Sequence, residues 1–475
     1  MGEHEIGNPA LWNSNAQEST CHEVMLKATL WRGWRRNVGI LCLILTGAVI
    51  AAPAQILSTL HAFTGAPDGV APEAGLIQAS DGNFYGTTTA GGIFQTCTKQ
   101  PNESCGTVFK MNPSGLVSVL HNFCGEGGGM CADGYYPRGP LIQATDGNFY
   151  GLTENGGLHR AGALFKITPS GTLTPIYSFC SQSQCADGGY DGFEGPGLVQ
   201  GTDSNFYGTA PQGGAQLHGT IYKITPGGSL TVLYNFCSGG FGCPDGYDPQ
   251  AGLILASDGN FYGTTSNGGN LPPENGGTVF KITPDGTLTT LYKFCSQGGA
   301  SCTDGESPQA SLVQGTGGDF YGTTLEGGAH GGGTIFKITP SGALTTLYSF
   351  CAQSGCADGD NPFGPLLQAS DGNFYGTATF GGIETGFPVC SNENGCGTIF
   401  KITPSGTFTL LHKFCSQSGC IDGAQPGYVS LIVGRDRSLY GTAFYGGIGT
   451  ACVGEFELGC GTVFRLALTV PDVGP

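Results

Sequence analysis

The chain has 475 residues, of which 86 are glycine, about 18% where an average protein has about 7%, and only 11% are charged where about 25% is usual. The glycines follow no period of three, which excludes collagen, and 39% hydrophobic with 10% aromatic residues is enough to fill a core, which excludes intrinsic disorder. A formal charge of −17 repels phosphate backbones and argues against a nucleic-acid partner.

Residues 1–54 read as a leader. They hold all three tryptophans, Trp12, Trp31 and Trp34, and a basic stretch, RGWRRN, ahead of a 15-residue apolar run from Val38 to Ala52. Ala52-Pro53-Ala54 then offers the small residues a signal peptidase reads, so cleavage is expected before Gln55. A retained membrane anchor is the alternative, but 15 residues fall short of the roughly 20 that cross a bilayer. Met25 is a second candidate start. The mature part, 55–475, is expected to be one secreted domain, extracellular or periplasmic, monomeric and without a membrane span.

From residue 55 onward three phrases recur seven times each. NFYGT and its variants place a tyrosine at Tyr85, Tyr150, Tyr207, Tyr262, Tyr321, Tyr375 and Tyr440, about 59 residues apart. A phrase of the form GTVFKI starts at Gly106, Gly162, Gly219, Gly277, Gly333, Gly397 and Gly461, and one of the form LTTLYSF ends at Phe63, Phe123, Phe179, Phe236, Phe294, Phe350 and Phe414. Each unit reads as four short strands, A to D. In the sixth, these are 366–370, 373–379, 397–402 and 408–414. Asp371-Gly372 makes the tight A–B turn, because both positions tolerate positive φ, and Thr403-Pro404-Ser405-Gly406 makes the C–D turn.

The mature chain opens on a lone D strand, 56–63, and closes on an A, B, C set whose last strand, 461–468, has no D after it. The first strand therefore completes the last blade of an all-β, seven-bladed β-propeller, leaving no open sheet edge at the join. An open solenoid is the alternative, but it would carry capping repeats at its ends.

Cysteine usage agrees with export. Of 20 cysteines, 18 lie beyond the leader in nine close pairs: Cys97 with Cys105, Cys124 with Cys131, Cys180 with Cys185, Cys237 with Cys243, Cys295 with Cys302, Cys351 with Cys356, Cys390 with Cys396, Cys415 with Cys420 and Cys452 with Cys460. We read them as local disulfides, each contributing on the order of 2 kcal/mol through the unfolded state. Zinc needs four ligands at one point, and pairs on separate repeats are not expected to converge.

In an antiparallel meander the A–B and C–D turns share one face, and the B–C and D–A loops share the other. All nine cysteine pairs fall on the second face, which also carries the sequence variation and is the candidate binding surface. Just after the D–A loop proline, one position differs from blade to blade: Glu73, Arg138, Glu194, Gln250, Gln309, Phe363 and Gly427. With Tyr135, Tyr136, Tyr190, Tyr247 and Tyr428 nearby, this ring at the channel mouth is the expected ligand site.

Positions repeated in every blade read as frame. Lys110, Lys166, Lys223, Lys281, Lys337, Lys401 and Arg465 are expected to pair within the blade with an acid such as Asp81 or Asp371. The D–A loops each carry an Asp-Gly, at Asp68, Asp133, Asp187, Asp245, Asp304, Asp358 and Asp422. Calcium coordination is the sharper reading of these acids and an Asx-type turn the simpler one, favoured by the single carboxylate per loop, so no cofactor is expected.

No catalytic constellation stands out. His61, His121 and His412 occupy the strand-D tyrosine position as packing variants, while His159, His218 and His330 lie in B–C loops. Arg435 and Arg437 flank an A–B turn on the far face, which leaves too few arginines for a sialidase-like site. Paired carboxylates for glycoside chemistry remain open through Glu73, Glu194 and Glu306.

The phrase DGNFYGTT, a Gly-Gly loop and GTVFKITPSGTLTTLYSF, repeated over 56–468, resembles the GloVer-type tandem repeat of exported bacterial proteins, the choice-of-anchor tandem repeat family. The resemblance implies an exported, propeller-like repeat protein, often with a C-terminal sorting signal, although LALTVPDVGP carries neither the apolar tail nor the basic cluster of one. The DGN-aromatic phrase is also similar to sensor propellers of two-component regulators. The function expected is a non-catalytic binding module for a glycan or protein partner, with an extracellular polysaccharide lyase or glycoside hydrolase as the alternative.

Overall fold

Each repeat folds as one antiparallel meander. In blade 1, strand A is Ile77–Gln78, B is Phe84–Thr88, C is Thr107–Met111 and D is Val117–Asn122, hydrogen-bonded in that order. A computed structural model describes residues 55–93, 105–125, 131–190, 197–269, 276–296, 302–382, 390, 395–427, 430–447 and 459–468. It contains seven such four-stranded sheets. Blade 7 takes A, B and C from Ile432–Val433, Leu439–Ala443 and Thr462–Leu466, and its D strand is Leu57–Ala62, with Leu57 opposite Leu466 and Ala62 opposite Thr462. The molecule is a seven-bladed β-propeller closed by its first strand. The leader, 1–54, lies outside the described residues, and among those described no helix is long and apolar enough to cross a membrane.

Strand A is shorter than the sequence pattern suggests. In blade 6 only Leu367–Gln368 joins the ladder, where 366–370 was expected. The segments leading into strand A of neighbouring blades meet so closely that a Cβ on Gly252 would fall 2.8 Å from the Gly197 carbonyl oxygen. The chain then leaves the ladder early, and the Gln368 side chain bonds the Gly372 carbonyl of its own turn and the Thr316 amide of the previous blade.

The core lies between blades, in seven clusters of buried side chains, one per junction. The strand-B tyrosine of one blade packs on the strand-B phenylalanine of the next, as Tyr85 on Phe149 at 4.1 Å and Tyr262 on Phe320 at 4.0 Å. Such pairs are worth roughly 0.5–1.5 kcal/mol beyond their area. At the closing junction Tyr440 of blade 7 meets Phe84 of blade 1 at 4.5 Å, so the seam is packed by the same contact as the rest. Blade 7 itself has Leu439 in place of the phenylalanine, buried in one cluster with Tyr375.

The turn face is built from one repeated clasp. Asp81 accepts hydrogen bonds from the Lys110 ammonium at 2.9 Å, the Tyr85 hydroxyl at 2.8 Å and the Asn83 amide at 3.0 Å. Lys166 with Asp146, Lys223 with Asp203, Lys281 with Asp258 and Arg465 with Asp436 repeat it, as the intrablade pairing anticipates. In blade 5 Gly317 replaces the turn acid, and Lys337 pairs instead with Asp319, two residues on, at 2.7 Å.

Candidate functional site

The loop face is organised from its aspartates. Asp187 accepts from the Tyr177 hydroxyl at 2.7 Å and from the Ser181 and Gln182 amides, and Asp358 accepts from Tyr348 at 2.7 Å and from the Ala352 and Gln353 amides. Tyr234 with Asp245 and Tyr292 with Asp304 repeat the contact. Where strand D carries histidine, the ring takes the same place: His61 Nε2 lies 3.0 Å from Asp68, His121 2.9 Å from Asp133 and His412 3.2 Å from Asp422. Each of these acids thus ties its own loop back to the end of strand D. The Asx-type turn expected does not form, since the amide two residues after the acid bonds another segment, as Gly189 bonds the Gln212 carbonyl and Asp360 the Phe380 carbonyl.

Seven disulfides brace this face: Cys124–Cys131, Cys180–Cys185, Cys237–Cys243, Cys295–Cys302, Cys351–Cys356, Cys390–Cys396 and Cys415–Cys420. Cys105 and Cys460 are also disulfide-bonded, while Cys97 and Cys452 lie outside the described residues. Within blade 6 two pairs of one repeat do meet, with Cys390 Sγ 3.9 Å from Cys415 Sγ. Among the described residues, the four places where three metal-type side chains converge all include cysteines of these disulfides, and neither His159 nor His330 belongs to one.

The symmetry-breaking ring contains a built ionic cluster at the junction of blades 1 and 2. Arg138 Nε stands 2.9 Å from Glu73 and 2.9 Å from Glu154, whose side chains are 6% and 7% exposed, while Arg138 itself is 29% exposed. Thr89 donates its hydroxyl to Glu73 at 2.8 Å. Burial pushes the Glu73 carboxyl above its usual range, against the pull of Arg138 and of the Thr89 hydrogen bond. Two buried carboxylates therefore share one cation whose outer side reaches solvent. Glu154 escapes a reading confined to the ring position, since it directly follows strand B. Its signal is that it is the only acid at a position filled by Thr89, Pro211, Ser266, Leu325, Thr379 and Phe444 elsewhere.

Gln250, Gln309 and Phe363 occupy the equivalent position in blades 4 to 6, each half-buried, and Gln309 donates to the Ser307 hydroxyl at 2.9 Å. Gly427 holds the place in blade 7, where a Cβ would lie 2.4 Å from the Thr379 hydroxyl oxygen. Tyr135 and Tyr136 are half-buried and meet edge to face at 4.9 Å. Tyr247 packs 5.1 Å from His218, beside Asp248, whose carboxyl burial raises against the Asn267 hydrogen bond and the His218 charge. Glu194 and Tyr428 lie outside the described residues. Tyr190 departs from expectation. It is 0% exposed, and its hydroxyl donates to the Thr209 carbonyl at 2.7 Å and lies 2.7 Å from the Tyr222 hydroxyl. The reason is that blade 3 has Tyr222 where the other blades have phenylalanine, and the buried hydroxyl needs a partner. Tyr190 is core, not binding surface. On the same face Glu306 and Glu326 pair backbone to backbone, and burial and then the Glu326 charge push the Glu306 carboxyl up.

Fold and loop chemistry together define a class, a seven-bladed propeller repeat domain with disulfide-braced loops on one face. The chain belongs to the Gloeobacter/Verrucomicrobia repeat family, whose model matches residues 46–195 and 194–464. No curated protein matches it. Among solved structures, the extracellular domain of a putative hybrid two-component system from B. thetaiotaomicron aligns at a TM-score of 0.49 with 11% identity, over 86% of this chain and 39% of that one. A putative oxidoreductase (glucose dehydrogenase) from Thermus thermophilus aligns at 0.39 with 16% identity, over 69% and 95%. A putative gluconolactonase aligns at 0.37 with 13% identity, over 75% and 91%.

Proposed function

We propose that the mature protein is an exported binding module that holds a glycan or protein partner on its loop face and performs no chemistry on it. One observation carries this reading: at the structural place just after the D–A loop proline the seven blades hold five kinds of residue, Glu73, Arg138, Gln250, Phe363 and Gly427 among them, on strands that repeat closely. Loops of this kind on a rigid scaffold are where recognition is placed. The loop aspartates, by contrast, are occupied by the tyrosine hydroxyls of the preceding strand D. The disulfides favour an oxidising compartment, which agrees with export.

Glu306, with its raised carboxyl facing Glu326, is the observation that an alternative reading as a polysaccharide lyase or glycoside hydrolase builds on. A glycan array and a polysaccharide-degradation screen on residues 55–475 separate the two. Retention of a glycan without new reducing or unsaturated ends supports the binding module, and release of product overturns it. The triple variant Gln250→Ala, Gln309→Ala, Phe363→Ala tests the site, since none of the three holds an ion pair of the frame.

A further inference from the structure

The turn face departs furthest from its repeat in the seventh blade. Arg435 stands where the other blades have Ser80, Thr145, Thr202, Ser257, Thr316 and Ser370, and Arg437 stands where five of them have glycine. Arg465 replaces the lysine of the clasp. Three of the five arginines beyond the leader thus belong to the seventh blade of an acidic protein.

Arg435 is a cation fixed in place ahead of any ligand. Arg435 Nη2 donates to the carbonyls of Ser80 at 2.8 Å and Ala79 at 3.3 Å, across the seam in blade 1, and its backbone amide donates to Gln78 at 2.9 Å. Its Nη1 sits against Gly82, where a Cβ would be only 3.0 Å away. The guanidinium is therefore fixed by one edge, and its remaining N–H donors are left over. Neither Arg435 nor Arg437 lies within ion-pair distance of a carboxylate among the described residues. Arg437 keeps a left-handed backbone, φ +64°, that a glycine would adopt without cost. Arg465, by contrast, is held by Asp436 through both Nε and Nη2, each at 2.8 Å. Arg435, Arg465, Gln78 and Asn83 line an open cleft of about 470 Å³ at the seam, together with two carboxylates that already hold a cation, Asp436 on Arg465 and Asp81 on Lys110, and with Leu60 on its apolar side. That volume suits a ligand of sugar size.

We infer that this cleft is a second binding site, on the face opposite the channel-mouth ring, for a small ligand bearing an oxyanion, a carboxylate or a sulfate. Arg435 supplies the charge inside the cleft, in an orientation set in advance by blade 1, Arg437 adds a second charge from the same turn outside the lining, and Gln78 and Asn83 supply neutral polar groups. Planar guanidinium donors match oxyanions better than an ammonium does, which gives the exchange of lysine and glycine for arginine a chemical purpose.

The test is calorimetric titration of residues 55–475 at low salt with sodium glucuronate, sodium sulfate and, as the neutral control, glucose. Binding of at least one anion, absent for glucose and weakened by added salt, is expected, and which anion binds tells carboxylate from sulfate. Arg435→Ser should weaken it about tenfold, and Arg437→Gly, which removes a charge beside the cleft, about threefold. Arg437→Gly restores the residue of five other blades, so its melting temperature should equal or exceed that of the parent and loss of binding cannot be ascribed to unfolding. No heat with either anion, equal binding of glucose, or unchanged affinity in both variants overturns the site. A lower melting temperature in Arg435→Ser with no anion binding in the parent would reduce Arg435 to a seam latch and overturn it as well.

Discussion

The two faces of the propeller use their acids differently. On the turn face an aspartate such as Asp146 lies near solvent and gathers a lysine, a tyrosine and a backbone amide. On the loop face an aspartate such as Asp358 is fully buried and gathers a tyrosine and two amides without any cation. Losing the first arrangement costs little and losing the second costs more, because a buried donor left without its acceptor bears the full desolvation cost. The loop face is also where the chain departs most from its repeat, so the more variable surface rests on the more deeply buried support.

The comparison breaks most visibly under reduction. The disulfides fall on one face, and each is worth on the order of 2 kcal/mol. Tris(carboxyethyl)phosphine at neutral pH should lower the melting temperature by tens of degrees, and hydrogen exchange should rise first in the D–A loops, with strands B and C following. Simultaneous loss of protection on both faces would mean the loops are not a separate layer.

Substitution gives the next largest effect. Asp358→Ala should cost about 2–3 kcal/mol in denaturant unfolding, and Asp146→Ala no more than about 1 kcal/mol. Equal costs would erase the distinction. Tyr190→Phe should cost about 1–2 kcal/mol, since it strips a partner from Tyr222 and from the Thr209 carbonyl, and should leave binding untouched.

The smallest effect separates the faces by sign of pH dependence. Burial opposes charge on Asp146, but hydrogen bonds from Asn148, Lys166 and Tyr150 outweigh it and hold the carboxyl at about 2, below its ordinary 3.8. Its contribution is complete above 3.8 and is lost as pH falls towards about 2, so Asp146→Asn should flatten the acid limb of the stability curve. Glu73 is shifted upward from 4.5, so its contribution is complete below that value and is lost as pH rises through its folded value. Glu73→Gln should therefore gain on the parent from pH 4 to pH 7 in thermal melts, and a widening deficit would reverse the assignment.

Much of the frame is legible in the sequence because repetition averages out local ambiguity. A two-residue strand such as Ile77–Gln78 would carry no signal alone, yet it recurs before every Asp-Gly-type turn. Closure is legible because the first strand and the last set are complementary halves of one blade. The glutamine latch is a signal present in the sequence and easily passed over. Gln78, Gln143, Gln200, Gln314 and Gln368 repeat in strand A and tie each blade to the turn before it, while Leu255 and Val433 omit the tie. What is not legible is depth. Tyr190 and Tyr136 look alike as loop tyrosines, and only the Tyr222 hydroxyl across a blade junction decides that the first is core. The sharing of Arg138 by Glu73 and Glu154 likewise depends on contact between two blades, which spacing along the chain does not encode.

The central claim is that recognition of the partner resides on the loop face. Hydrogen–deuterium exchange of residues 55–475, with and without the partner retained on the array, tests it most directly. Protection should appear in the D–A segments 133–140, 245–251 and 304–310, while the A–B turn amides at 146–148 and 258–260 stay unchanged. Protection confined to those turns would contradict the account.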